Sequence, residues 1–181
     1  LSISPGSYIV IFADGIRQDL FSKLVKQKSL PNINTYLIKR GTYFKNTSTI
    51  LPTVTYPVMT SFFTGAQVRE HNITGITWFD RTKLAYRNYS TIEQKGTLKA
   101  DYSVQNCFEK TGKRSVSIFC ELHRGAHRFI ENRMSAGPPY FFQWFEFVDR
   151  ISVSRFNIVS SIAQSEKKLP ALIVIHLIAP D

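Results

Sequence analysis

The sequence predicts an α/β fold, a mostly parallel sheet flanked by helices on both faces. Three observations carry that expectation. Tyr8–Phe12 and Ala171–Ile178 are continuous apolar runs of strand length, as in strands buried on both sides. Ser115–Cys120 gives a third buried-strand pattern between them. Segments with helical spacing separate the three, as the crossovers between parallel strands require. With 181 residues, 43% of them hydrophobic, the chain can bury a sizeable core. No linker, repeat or low-complexity stretch divides it, so residues 1–181 read as part of one domain.

The first strand ends in Ala13-Asp14-Gly15, a carboxylate and a turn at its C-terminal end. In open α/β sheets that edge binds ligands and metals, although an isolated Asp-Gly is also an ordinary turn. Leu20, Phe21, Leu24 and Val25 predict a helix from about Gln18, broken at Ser29-Leu30-Pro31. Ile33, Leu37 and Ile38 predict a second helix that stops at Gly41, and Tyr43-Phe44 reads as a short strand. Pro57–Thr64 predicts a short buried helix, with proline in its first turn and Gly65 just past its end. Thr55 then falls at the N-terminus of that helix. It is either a plain N-cap or a hydroxyl placed among unpaired N–H groups, where phosphate binds well.

Arg69–Asn72 reads as a loop. Thr77–Asp80 and Tyr86–Ile92 read as short strands of an aromatic excursion, and Tyr102–Lys110 as a helix ending at Gly112. Tyr140–Val148 and Ile151–Gln164 have helical character ahead of the last strand, which ends at Pro180-Asp181. Two apolar strands therefore terminate in aspartates, Asp14 and Asp181, and a helix N-terminus carries Thr55. A parallel sheet can deliver all three to one edge. Hard oxygen ligands beside a hydroxyl nucleophile suit metal-assisted phosphoryl transfer.

Bulk properties narrow the class further. The formal net charge of +10 is spread without a long basic run, which fits a solvated surface or attraction for phosphorylated substrates. No nucleic-acid-binding signature is present, so specific nucleic-acid binding is not expected. No apolar run approaches the roughly 18 residues of a membrane span. Cys107 and Cys120 form either one disulfide in an exported protein or two buried thiols. Sequons at Asn46, Asn72 and Asn88 are compatible with secretion.

Four segments in order, I-V-I-F-A-D-G-I-R (Ile9–Arg17), L-P-N-I-N (Leu30–Asn34), L-P-T-V-T-Y-P (Leu51–Pro57) and T-G-A-Q-V-R-E-H-N-I (Thr64–Ile73), resemble the type I phosphodiesterase/nucleotide pyrophosphatase family of the alkaline phosphatase superfamily. The likeness runs from Ile9 to about Asp80 and resumes at Ala171–Asp181; the middle matches only loosely. It implies the N-terminal portion of an alkaline phosphatase-like three-layer domain, exported from the cytoplasm, that cleaves phosphodiester or pyrophosphate bonds in small phosphoesters. The implied cofactors are two divalent metal ions, zinc. By this likeness Asp14 and Thr55 bind one metal, Asp181 binds the other, and Thr55 becomes a covalent phosphothreonine.

Tyr56 matches a position that stacks on the base in nucleotide-cleaving relatives. The family commonly has an asparagine where Ile76 stands here, so Asn72 or backbone N–H groups are the candidates for holding a phosphate oxygen. The family's remaining ligands fall beyond Asp181, and an incomplete sheet would leave an apolar edge open to self-association. The alternatives are an inactive binding module, or a phosphomonoesterase or transferase of the same superfamily. Of the histidines, His71 matches a structural position, His123 and His127 read as a solvated pair, and His176 reads as a hydrogen-bonded core residue.

Overall fold

A computed structural model describes residues 6–91, 96–111, 114–131 and 142–178. Its centre is a four-stranded parallel sheet in the order β1-β6-β4-β5. The strands are β1 (Tyr8–Ala13), β4 (Ser115–Ile118), β5 (Arg128–Ile130) and β6 (Leu172–Leu177). β1 pairs with β6 from Tyr8 opposite Leu172 to Ala13 opposite Leu177. β6 pairs with β4 on its other side, from Leu172 opposite Ser115 to Ile175 opposite Ile118.

The period of two along β6 sorts its side chains between two cores. Leu172 and Val174 join Met59, Phe63, Tyr89, Tyr102, Phe108 and Leu122 on one face. Ile173 and Ile175 join Val116, Ile118, Ile130 and Val159 on the other. Helices accompany both faces: α2 (Thr55–Thr64) on the first, and α7 (Phe156–Glu166), preceded by α6 (Phe145–Ser154), on the second. This is the α/β sandwich that the apolar runs predict. β1 differs from expectation in one respect. Tyr8, Ile9 and Ile11 are exposed by 69%, 54% and 54%, because β1 forms one edge of the sheet and pairs only with β6 among the described residues.

α2 forms as its punctuation requires. Pro57 sits in the first turn, Gly65 closes the helix in the left-handed conformation (φ 72°), and its N–H reaches Ser61 O at 2.8 Å. Phe62 and Phe63 pack on Phe12 of β1, with ring centroids 5.7 and 6.0 Å apart. This contact ties the helix to the strand that carries Asp14.

The excursion is an antiparallel ribbon of β2 (Thr77–Asp80) and β3 (Ala85–Asn88). Its anchor is Asp101, whose buried carboxylate pairs with Lys83 at 2.8 Å and Arg87 at 2.9 Å and accepts the Tyr89 hydroxyl at 2.9 Å. Further elements are α1 (Gln18–Lys26), a π-helical segment at Ile33–Ile38, α3 (Val68–His71), α4 (Leu98–Asp101) and α5 (Cys107–Thr111).

Three local expectations are corrected, and one strand carries no sequence signal. Tyr43-Phe44 is not a strand; the Tyr43 ring lies 6.0 Å from Phe21 and its hydroxyl 3.3 Å from Ser22 Oγ, so side-chain docking on α1 takes the place of a ladder. Arg69–Asn72 is not a loop, because a capping box between Gln67 and Glu70 starts α3. The helix expected at Tyr102–Lys110 is interrupted: Asn106 Oδ1 accepts the N–H groups of Phe108 and Glu109 at 2.9 and 3.1 Å and starts α5 afresh. β5 gave no strand signal, being three residues long with an arginine at its start.

Candidate active site

β1 ends at Ala13, and the Asp14 N–H continues its ladder to Leu177 O at 2.9 Å, which fixes Asp14 at the C-terminal edge of the sheet. Gly15 turns the chain there with φ 65° and donates its N–H to Asp14 Oδ1 at 3.1 Å. Thr55 arrives from the other side as the first residue of α2. Val54, in extended conformation, is the N-cap, so Thr55 does not fill the N-cap role that its sequence position allowed.

Asp14 and Thr55 line one cleft of about 440 Å³ together with Tyr56, Phe119, Glu121 and His176. Ile76, Ser90, Phe145 and Ile178 complete its wall. The volume suits a small ligand. The His176 imidazole is the strongest influence on the Asp14 carboxyl and holds it below 3.8 against the opposing effect of burial. Hydrogen bonding from the Thr55 hydroxyl and the Gly15 N–H acts in the same direction. Asp14 is thus a carboxylate at neutral pH, with the His176 imidazole 3.6 Å from its Oδ2.

Tyr56 is buried on the cleft wall, its ring packed edge-on to Tyr89 at 5.3 Å and its hydroxyl donated to Tyr89 O at 3.3 Å. Asn72 ends α3 in the left-handed conformation (φ 64°) and is not among the residues lining the cleft. Asp181 lies outside the described residues. The nearest described feature is β6, which runs parallel to β1 and so opens its C-terminal end at the same edge as Asp14.

The type I phosphodiesterase / nucleotide pyrophosphatase family model matches residues 8–181. The chain belongs to that family. No curated protein sequence matches it. The family's activity is hydrolysis of phosphodiester or pyrophosphate bonds; its members are generally metal-dependent and often extracellular. No helix among the described residues is long and apolar enough to cross a membrane.

Ile76 places an apolar side chain on the cleft wall. His71 is structural: it is fully buried, with Nε2 2.8 Å from Ser61 Oγ and Nδ1 accepting the Ile73 N–H at 3.0 Å. His123 is half-buried, not solvated; it stacks on Phe129 with centroids 3.6 Å apart.

His176 departs from the expectation of a hydrogen-bonded core residue, since neither ring nitrogen has a hydrogen-bond partner among the described residues. Phe119 and Glu121 went unnoticed in the sequence. The signal was available: they follow β4 as Asp14 follows β1, at the strand end where a parallel sheet binds ligands. Among the described residues no three His, Cys, Asp or Glu side chains gather as a metal site. The oxygens of Asp14 and Thr55 nonetheless fit a hard divalent ion, and the buried, unpartnered nitrogens of His176 beside them belong to a polar site, not an apolar core.

Proposed function

We propose that this chain carries the nucleophile and part of the metal site of an exported hydrolase cleaving phosphodiester or pyrophosphate bonds in small, nucleotide-like phosphoesters. The carrying observation is one cleft lined by both Thr55, the first residue of α2, and the Asp14 carboxylate. Asp14, Thr55 and Asp181 would hold two zinc ions. When bound, such ions lower the hydroxyl's pKa, screen phosphate charge and support the leaving oxygen.

Thr55 Oγ1 forms a bond to phosphorus as the bond to the leaving oxygen breaks, giving a phosphothreonine. Water then attacks phosphorus and returns the free hydroxyl. The N-terminal end of α2 favours the negative phosphoryl group. Tyr56, backed by the buried Tyr89, supplies an aromatic wall for a nucleotide base. In this reading backbone N–H groups at the start of α2 hold a phosphate oxygen in place of the missing amide, since Asn72 does not line the cleft.

Turnover of a nitrophenyl phosphodiester in zinc tests this. Thr55→Ala is expected to lower the rate by about three orders of magnitude or more, and Thr55→Ser to keep part of it. Wild-type rates in the Ala variant would remove Thr55 as nucleophile. A second reading, a binding module without turnover, is favoured by Ile76 on the cleft wall. Zinc-dependent binding of a nucleotide with no hydrolysis in the full-length protein would select it. The exposed edge of β1 is also proposed as a site of self-association.

A further inference from the structure

We propose that His176 is a positioning residue: its Nε2–H holds the outer oxygen of the Asp14 carboxylate and so fixes the direction in which Asp14 presents its other oxygen. His176 is 6% exposed, and neither ring nitrogen has a hydrogen-bond partner among the described residues. A buried polar group left unpaired costs about 1–3 kcal/mol, so an orphaned imidazole in the wall of a cleft calls for a use. The group facing it is Asp14, whose Oδ2 lies 3.6 Å from Nε2.

Asp14 Oδ1 is already engaged by the Gly15 N–H at 3.1 Å, which leaves Oδ2 as the oxygen open to the ring. Backbone register sets the pair. His176 stands opposite Phe12 across the β1–β6 ladder, and Asp14, two residues beyond Phe12, projects from the same face. Phe12 and Phe119 flank the imidazole, with centroids at 5.6 and 6.4 Å. A closure of roughly half an ångström brings Nε2 and Oδ2 to ordinary hydrogen-bond length. Carboxylates that ligate metals are commonly held in this way by an outer partner, worth about 10- to 100-fold in metal affinity.

This role rests on the reading of Asp14 as a metal ligand, and the experiment separates the two. Zinc affinity is measured by calorimetry on the full chain for wild type, Asp14→Ala, His176→Phe and His176→Gln. His176→Phe is expected to weaken binding by about 10- to 100-fold. His176→Gln, whose amide N–H can reach the same oxygen, is expected to recover most of that loss and to give the wild-type absorption spectrum when loaded with cobalt. Wild-type affinity in His176→Phe, with Asp14→Ala impaired, overturns the positioning role alone. Zinc binding that survives Asp14→Ala unchanged overturns the metal reading and this role with it. Failure of His176→Gln to recover affinity, or an altered cobalt spectrum in that variant, also overturns the role, the latter by making His176 a ligand. Long-range proton–nitrogen NMR of the wild type removes any dependence on how the variants fold. The Nε2 proton should persist when zinc is bound, and its loss to the metal refutes the proposal.

Discussion

His71 has a defined tautomer because both of its ring nitrogens are committed. Nδ1 accepts the Ile73 N–H, so Nε2 carries the proton and donates it to Ser61. Burial is the main cause that holds its pKa below 6.5, opposed by the nearby charge of Glu70. The unfolded chain therefore takes up the proton first as pH falls, and the stability His71 contributes is present above about pH 6.5 and declines below it. Denaturant midpoints measured between pH 7 and pH 5 should fall more steeply for wild type than for His71→Gln, itself less stable at pH 7 by about 1–2 kcal/mol.

Asp101 gives a second dependence, lower on the scale. Burial pushes its carboxyl up, but Lys83, Tyr89 and Arg87 together bring it below 3.8. Its contribution is complete above about pH 4 and disappears as pH falls through the depressed value. Asp101→Asn, which leaves Arg87 half-buried and unpaired, should cost about 3 kcal/mol by chemical denaturation. Sequence could not separate these residues from surface neighbours. The partners of His71 are a serine one helix away and a backbone N–H, and the placing of His176 near Asp14 depends on the β1–β6 register, which exists only once the sheet has formed.

Among the elements, α2 was legible and α5 was not, for related reasons. The boundaries of α2 are written in residues with strong backbone preferences, Pro57 and Gly65. Gly65→Ala tests that claim cleanly. A Cβ there meets nothing within 4 Å, so only the left-handed φ of 72° opposes it, and a loss of about 1 kcal/mol is expected by thermal or denaturant unfolding. α5 begins where the Asn106 side chain captures two N–H groups, a competition that the apolar pattern across Tyr102–Lys110 conceals. The buried strand β6 was legible because hydrophobicity marks it, and β4 because Val116, Ile118 and Phe119 keep a short apolar pattern around two buried serines. β1 carries the same signal and yet lies at an edge, since an apolar run reports a preference for burial, not the presence of a neighbour. For the site, the strand-end rule found Asp14, and the helix-start rule found Thr55. The cleft wall, drawn from seven separate segments, has no local pattern to read.

At the scale of the whole molecule, β1 pairs on one side only among the described residues, and with Tyr8, Ile9 and Ile11 exposed on its two faces it suits the role of template for another copy of the chain. Light scattering on these 181 residues should show association that weakens with dilution, and Ile9→Lys with Ile11→Lys should shift the population toward monomer. An unchanged mass distribution in the double variant would place association elsewhere. The two cysteines, left open between a disulfide and two thiols, are both reduced, Cys107 half-buried and Cys120 fully enclosed. Burial pushes the Cys107 thiol up and the Cys120 thiol up to about 12, so neither is a ready nucleophile in the native state. Cys120 belongs to the same apolar cluster as Met59 and Phe63 of α2. The protein therefore carries its own clock: pulse alkylation followed by mass spectrometry should mark Cys120 only in molecules whose core around α2 has opened, timing the exposure of the helix that carries Thr55 without an added probe.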